Sequence, residues 1–236
     1  MTLVSVTVCS YNSAATLGPA LDSALNQSFP QHNYEVLVVN DGSSDNTSDV
    51  IDEYAKRHPN IRPFNLKENR GLVAACNFGL DAAKGKYFIR LDADDLFHED
   101  ILSSLAEQME SDKTDMSYCD RYDITLENGH RELIQTEPFN LFNLLATGTM
   151  FRMDMVRALG GYRPLFWEEY DLYMRYLVHS GRSPVRVPNP LYYYSLHDSS
   201  MTADKASVSA GWKELREVWG VDALRRFGAP EIMEEG

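Results

Sequence analysis

The chain has 236 residues and a formal net charge of −13, from 35 acidic and 22 basic side chains. This acidic balance argues against a general nucleic-acid binder, because such a protein presents a basic face to the phosphate groups. No run of 18 consecutive apolar residues occurs, so the sequence predicts no transmembrane segment.

The first hundred residues alternate between β-branched apolar runs and segments with helical spacing. Strands are predicted at 3–8, 34–39, 61–66 and 86–91. Helical spacing occurs between them at 13–27, where Gly18 and Pro19 mark the firm helix start, and helices are predicted at 46–57 and at 71–85, the last closed by Gly85. Strands that alternate with helices indicate βαβ units and a mainly parallel sheet.

After residue 100 the pattern becomes mixed. The predicted elements are a helix at 99–110, a strand at 115–124, a hairpin turn at 127–130, a strand and short helix within 147–162, a helix at 168–179 and a strand at 190–196. A tail at 206–227 is amphipathic, with Trp212, Leu215, Val218 and Trp219 on one face. We therefore expect one α/β domain with a mixed second half.

Two acidic turns follow predicted strands, NDGSSD at 40–45 and DADD at 92–95. In open α/β sheets, ligands bind outside the carboxyl ends of the strands, and adjacent strand ends lie only ~5 Å apart. The two turns could therefore share one cleft. The first turn could equally be a helix N-cap, since Asp and Ser suit that position.

Asp92 and Asp94 form a D-x-D pair. On an extended chain they point the same way at roughly 7 Å, and a slight turn brings them within reach of one cation. An oxygen site with open positions suits Mg²⁺ or Mn²⁺ bound to phosphates better than Zn²⁺. A D-x-D pair also occurs as plain loop acids, so the spacing alone leaves both interpretations open.

The helix predicted at 168–179 offers a candidate general base. Asp171 and Arg175 have the spacing of a surface ion pair, and Glu168 shares their polar face. Glu169 instead heads an apolar stripe, where partial burial would raise its pKa toward the range useful for a base. The alternative is a first-turn acid that favours the helix dipole, and periodicity does not choose between them.

Five segments together carry a resemblance to a known family. They are, in chain order, VSVTVCSYNSAATL, EVLVVNDGSSDNT, ENRGLVAACNFGL, GKYFIRLDADD and EEYDLYMR. Over about residues 3–202 the chain resembles glycosyltransferase family 2. The resemblance implies an α/β GT-A type nucleotide-sugar-binding fold, with a mainly parallel central sheet flanked by helices and a mixed second half.

The resemblance also implies a domain organisation. The GT-A domain would span 1–205, with a nucleotide-binding half at about 1–100 and an acceptor and catalytic half at about 101–205. An amphipathic helical tail would occupy 206–236.

In that family the Asp after the second strand contacts the nucleotide base, which implies this role for Asp41. The pocket would also be lined by residues near the start of the chain, Ser10, Tyr11 and Asn12. Here Cys9-Ser10 stands where the family usually has Pro-Thr, and the hydroxyl is kept. Arg70 is a candidate for the nucleotide or its phosphates, with a surface salt bridge to Glu68 as the alternative.

The same resemblance implies the metal and the base. Asp92 would reach the ribose or the metal, Asp94 would ligate Mn²⁺ or Mg²⁺ on the diphosphate, and His197 would ligate the metal or touch the diphosphate. Family members commonly carry Glu-Asp where this chain has Glu168-Glu169, and the second acid is the expected base. Glu169 is therefore the implied general base of an inverting transfer.

The implied substrates are a nucleotide-sugar donor and a hydroxyl of a growing glycan or a lipid-linked saccharide. UDP is the expected carrier, with GDP and dTDP open. A non-catalytic nucleotide-sugar-binding module is the alternative from another class. A D-x-D phosphotransferase is disfavoured because the motif follows the fourth strand, and a dehydrogenase because no G-x-G-x-x-G follows the first.

The location and contacts of the chain are also predicted. Three widely spaced cysteines and the absence of a signal-peptide pattern predict a cytoplasmic protein. The tail could be a lid, a homodimer contact or a helix on the inner membrane surface. Its acidic residues, Glu214, Glu217 and Asp222, favour docking on the domain instead.

Overall fold

The computed structural model describes residues 3–198 and 200–229, which form one nine-stranded sheet with helices on both faces. The strands are β1 Val4–Ser10, β2 Tyr34–Asn40, β3 Ile61–Asn65, β4 Tyr87–Asp92, β5 Leu96–Phe97, β6 Met116–Thr125, β7 His130–Ile134, β8 Thr149–Arg152 and β9 Val185–Leu196. The helices are α1 Leu17–Leu25, α2 Thr47–Arg57, α3 Leu72–Ala82, α4 Ile101–Asp112, α5 Met153–Ala158, α6 Glu168–His179, α7 Lys205–Trp219 and α8 Val221–Arg226.

The sheet order is β3-β2-β1-β4-β8-β6-β9-β5, with β7 paired to β6. The first four strands in this order are parallel, as the alternating sequence predicted. Every residue of β1 and β2 is buried, which is typical of strands covered on both faces. One core lies between the sheet and α1, α2 and α4, and the other between the sheet and α3, α5, α6 and α7.

The second half of the sheet is mixed, as expected. β8 runs antiparallel to both β4 and β6, while β6 and β9 are parallel. The last strand was predicted at 190–196 but begins at Val185. The sequence did not indicate a strand before residue 190 because Pro188 and Pro190 cannot donate hydrogen bonds to a neighbouring strand. In the structure the register with β6 shifts at this segment.

The C-terminal end of α3 differs from the prediction. The helix ends at Ala82, and Gly85 lies beyond it against β1. The Gly85 amide donates to the Ser5 hydroxyl over 2.8 Å. A Cβ at Gly85 would come within 2.6 Å of the Ser5 backbone nitrogen, so this position requires glycine for a close approach of two backbones.

The tail packs on the domain, as its acidic residues indicated. The centre of the Trp212 ring lies 4.7 Å from the centre of the Trp167 ring. Leu215 of α7 is buried in the same core as the apolar side chains of α6. Val218, predicted on the apolar face, is instead 48% exposed. Residues 230–236 lie outside the described residues. Within the described part of the chain, no helix is long and apolar enough to span a membrane.

Leu215→Ala is expected to lower the free energy of unfolding by about 2–5 kcal/mol, because it leaves a cavity where the tail meets the domain. Urea unfolding followed by circular dichroism measures the change. Val218→Ala on the same helix is the control and should change stability by less than about 0.5 kcal/mol. Equal, small effects of both variants would contradict the docking of the tail.

Candidate active site

One large cavity opens where the carboxyl ends of β1, β2 and β4 meet β9 and the start of α6. Its volume is about 680 Å³, within the usual range for small-molecule sites. Both acidic turns contribute to it, through Asp41 and the 92–95 segment. The two turns share this cleft although β1 lies between their strands, so they are not on adjacent strands as the ~5 Å spacing assumed.

Asp41 closes a loop over one wall of the cavity. Its Oδ1 accepts a hydrogen bond from the Arg70 amide at 2.9 Å, and its Oδ2 accepts one from the Gly71 amide at 2.8 Å. Gly71 has a φ of +86°, which favours glycine at this turn. Each carboxylate oxygen keeps a further acceptor position, so Asp41 can still bind a donor group of a ligand in the cavity.

The predicted pocket residues at and just after the end of β1 all line the cavity, in different ways. Ser10 is buried and its hydroxyl donates to the Val39 carbonyl at 3.3 Å, whereas Tyr11 is 49% exposed at the rim. Asn12 has a φ of +49°, and its side-chain oxygen accepts hydrogen bonds from the Ser44 amide and hydroxyl. Asn12 therefore organises the acidic turn after β2 while it lines the cavity.

Arg70 stands apart from the other predicted residues. Its side chain is exposed and is not among the groups that line the cavity, although its neighbours Asn69 and Gly71 are. Among the described residues, no ion pair joins Arg70 to Glu68. The structure thus gives Arg70 a backbone role at Asp41 and does not form the alternative salt bridge with Glu68, while the contact of its side chain with a nucleotide stays a prediction.

The three acids of the turn after β4 have three different environments. Asp92 receives two hydrogen bonds from the Arg90 guanidinium, at 2.6 and 3.0 Å. Asp95 is buried and accepts from the Ser195 amide at 2.8 Å and from the Thr147 hydroxyl at 3.2 Å. Burial, together with the charge of Asp92, raises the pKa of Asp95 well above its usual range. Asp95 therefore fastens β9 to this turn.

The third acid, Asp94, lies beside a histidine from the end of β9. The His197 Nε2 and the Asp94 Oδ2 are 2.9 Å apart, although the residues are 103 positions apart in sequence. The Ser195 hydroxyl, which donates to the Asp94 carbonyl at 2.5 Å, holds the two segments together. Asp94 and His197, two of the predicted metal ligands, therefore lie side by side in the structure.

The Asp94–His197 pair fits part of a metal site. A carboxylate and an imidazole with open positions can bind Mn²⁺ or Mg²⁺ that shares its other ligands with phosphate oxygens and water. Each Asp92 oxygen accepts a hydrogen bond from Arg90, and the role of Asp92 as a further metal ligand stays a prediction. Across the described residues, no group of three or more His, Cys, Asp and Glu side chains could hold a metal ion by itself. The structure thus brings together two of the three predicted ligands, Asp94 and His197.

The start of α6 is buried rather than solvated. Glu168 accepts a hydrogen bond from the Arg90 Nη1 at 2.7 Å, and Asp171 accepts one from the Arg175 Nε at 2.8 Å. The prediction of a surface ion pair for Asp171 and Arg175 was wrong, because both side chains are more than nine-tenths buried. The tail contacts the acidic partner, because Trp219 donates its indole N–H to Asp171 at 3.0 Å.

Glu169 faces the cavity and is 8% exposed. Burial raises the pKa of Glu169 well above the usual range; Glu168 raises it further, and the positive charge of Arg90 opposes the shift. Among the described residues, no other side chain hydrogen-bonds to its carboxylate. A raised pKa makes the ionised Glu169 carboxylate a stronger proton acceptor than an exposed glutamate.

The sequence reasoning did not single out Arg90, Asp95 or the cavity-lining Trp167. A signal for Arg90 was available, since a charged residue inside the buried run YFIRL must find partners. Asp95 and Trp167 gave no signal of their own, because an acid in a polar turn and an aromatic before a helix are common.

The strands end in a cavity that holds an acidic turn beside a histidine and a buried glutamate at a helix start. These features agree with the GT-A fold class that the sequence resemblance implied. The family model for "Glycosyl transferase family 2" matches residues 5–171, more than half of the chain. The chain belongs to glycosyl transferase family 2.

Relatives by sequence carry glycosyltransferase names. The "Putative glycosyltransferase EpsH" of Bacillus subtilis is 30% identical over 217 residues, which cover 84% of this chain and 62% of that protein. An "Uncharacterized glycosyltransferase" of Haemophilus influenzae is 40% identical over 94 residues, covering 40% of this chain and 28% of that protein. The chain thus spans less than two thirds of the length of these relatives.

Solved structures agree on the fold. Staphylococcus aureus TarS 1-349 in complex with UDP-GlcNAc has a TM-score of 0.78 and 20% identity, covering 98% of this chain and 69% of that one. The mannosyltransferase PcManGT of Pyrobaculum calidifontis, in complex with GDP-Man and Mn²⁺, has a TM-score of 0.74 and 19% identity. That match covers 96% of this chain and 65% of that one. The predicted GT-A type fold is confirmed.

Proposed function

We propose that this chain transfers a sugar from a nucleotide diphosphate sugar to a hydroxyl of a glycan or lipid-linked saccharide, with inversion at the anomeric carbon. The observation that carries the proposal is the convergence of two groups on one cavity. The Asp94–His197 pair suits the diphosphate side of a donor, and the buried Glu169 suits the proton of an acceptor.

The charge of the cavity supports the use of a divalent cation. Six carboxylates line it, those of Asp41, Asp92, Asp94, Asp95, Glu168 and Glu169. Arg90 is the one arginine or lysine among the described lining residues, and it already binds Asp92 and Glu168. A diphosphate needs a compensating charge in such a site, which Mn²⁺ or Mg²⁺ held by Asp94 and His197 would supply by neutralising the leaving group.

The transfer itself follows from the position of Glu169. The acceptor oxygen attacks the anomeric carbon, the bond from that carbon to the diphosphate oxygen breaks, and the hydroxyl proton passes to the Glu169 carboxylate. Glu168 is less suited to take the proton because its carboxylate binds Arg90. A single in-line displacement leaves the anomeric configuration inverted.

We propose that Asp41, Ser10 and Tyr11 contact the nucleoside of the donor. Asn12 organises the turn that encloses the nucleoside. UDP is the proposed carrier. A relative in complex with UDP-GlcNAc and another with GDP-Man leave the sugar and the base open. Arg70 as a phosphate contact and a cytoplasmic location remain predictions.

Calorimetric titration of UDP, GDP, dTDP and CDP, with and without Mn²⁺, tests the donor site. We expect one nucleotide to bind in the presence of Mn²⁺ and its affinity to fall by at least about 10-fold in Asp94→Ala, because one of two side-chain ligands is lost. Asp112→Ala, at the exposed end of α4, is the control and should bind as the wild type does. Failure of the wild type to bind any nucleotide would contradict the proposal.

A further inference from the structure

Arg90 links two acidic segments that are far apart in sequence. Its guanidinium donates two hydrogen bonds to Asp92 and one to Glu168, 78 residues away. The Arg90 side chain is 6% exposed and that of Glu168 is 2% exposed. A buried arginine with three hydrogen bonds to two carboxylates is held in one orientation, because each bond constrains the planar guanidinium.

This link fixes the start of α6. Trp167, the N-cap residue of the helix, makes no side-chain capping hydrogen bond. The Glu168 carboxylate is instead tied to β4 through Arg90, and Glu169 is the next residue along the chain. The position of the candidate base is therefore set within one peptide unit of a contact to the central sheet.

The same contact distinguishes two adjacent glutamates. The Glu168 carboxylate accepts a hydrogen bond from the Arg90 guanidinium, which engages it and orients it away from a role in proton transfer. Glu169 lines the same cavity with no comparable partner among the described side chains. The sequence alone does not separate the two acids, because both lie in the first turn of one helix.

We infer that Arg90 is a positioning residue for the transfer reaction. By binding Asp92 and Glu168 together, it ties the donor-side turn to the start of α6 and leaves Glu169 as the acid that receives the acceptor proton. This inference rests on the proposed function. It assigns to Arg90 no direct contact with the substrate.

Two substitutions at Glu168 test the link without leaving a buried charge unpaired. Glu168→Met removes the acceptor for Arg90, and we expect kcat to fall by about 10²-fold because small misplacements of catalytic groups have effects of this size. Glu168→Gln keeps a side-chain oxygen for the Arg90 Nη1, so its kcat should fall by less than about 10-fold. The KM for the donor and the nucleotide Kd should stay within about threefold of the wild type in both variants.

Arg90→Lys is the complementary variant, because lysine keeps the charge but cannot bind both carboxylates in the same geometry. Its kcat should fall as that of Glu168→Met does, with nucleotide affinity kept. Arg57→Lys, on the exposed surface of α2, is the control and should leave kcat and Kd unchanged. Thermal unfolding of every variant separates a loss of turnover from a loss of folded protein.

Each outcome bears on the inference or on the proposed function separately. A wild type that transfers no sugar from any donor would contradict the proposed function itself. Given an active wild type, full kcat in Glu168→Met would overturn the role of Arg90. A loss in Glu168→Gln as large as that in Glu169→Gln would also overturn it, since Glu168 would then act on the proton. A parallel loss of nucleotide binding in Arg90→Lys would instead assign Arg90 to the donor site.

Discussion

Glu169→Gln is expected to lower kcat by about 10²–10⁴-fold, the usual contribution of a general base, while nucleotide binding stays within about threefold of the wild type. The amide has nearly the shape of the carboxylate but cannot accept the acceptor proton. Initial rates with a donor that the wild type uses, together with calorimetric titration of its nucleotide, measure the two effects separately.

The pH dependence of the wild type checks the same assignment. Glu169 must be ionised to accept a proton, and its pKa is raised by burial and by the charge of Glu168. As the pH falls through this raised pKa the base becomes protonated, so the acidic limb of kcat should lie above the ordinary value of 4.5. A glutamine does not titrate, so the residual kcat of Glu169→Gln should not fall at acidic pH through loss of this base.

A conservative and a remote variant complete the test. Glu169→Asp keeps the acid that family members commonly carry at this position, and it should retain more activity than Glu169→Gln. Glu107→Gln, exposed on α4, should behave as the wild type does. Wild-type turnover in Glu169→Gln would show that another group accepts the proton, and the proposed mechanism would then fail.

Local patterns were sufficient to predict much of the fold. The boundaries of α6 were predicted at 168–179 and are found at Glu168–His179, because apolar spacing marks a helix within a few turns of chain. The buried β1 and β2 were equally evident from their β-branched runs. These features depend on residues that are close in sequence, and sequence periodicity describes the arrangement of such residues.

The arrangement of the site depends on residues that are far apart, which periodicity cannot report. Spacing could not indicate that Asp95 would bind the Ser195 amide or that Arg90 would bind Glu168. The association of Asp94 with His197 was expected only from the family resemblance. Charged groups in a buried strand or turn signal that partners exist, but the fold decides which partners they are.

The buried face of α6 shows the same limit. Four-residue spacing of Asp171 and Arg175 is identical for a surface pair and a buried pair. The difference is made by α7, whose Trp219 follows Asp171 by 48 residues and covers it. A helix pattern therefore predicts which side chains share a face, whereas the burial of that face depends on what packs against it.

Asp171→Ala is accordingly expected to lower the free energy of unfolding by about 3–5 kcal/mol, the usual effect of removing one partner of a buried ion pair. Asp171 is fully buried and accepts hydrogen bonds from the Arg175 Nε and the Trp219 indole, at 2.8 and 3.0 Å. Its loss leaves the Arg175 guanidinium buried without its carboxylate and frees the indole N–H of the tail. Urea unfolding followed by circular dichroism measures the change.

Asp222→Ala is the matched control, because this aspartate also stands in the first turn of a helix and near an arginine, but is fully exposed. Its effect should stay below about 0.5 kcal/mol, since water replaces the contacts of an exposed pair. If Asp171→Ala were as mild as the control, solvent would have to reach Arg175 in the folded protein, and α7 could not cover α6. A large loss confined to Asp171 would instead mean that the buried pair, with Trp219 of the tail bound to it, stabilises the helix that carries Glu169.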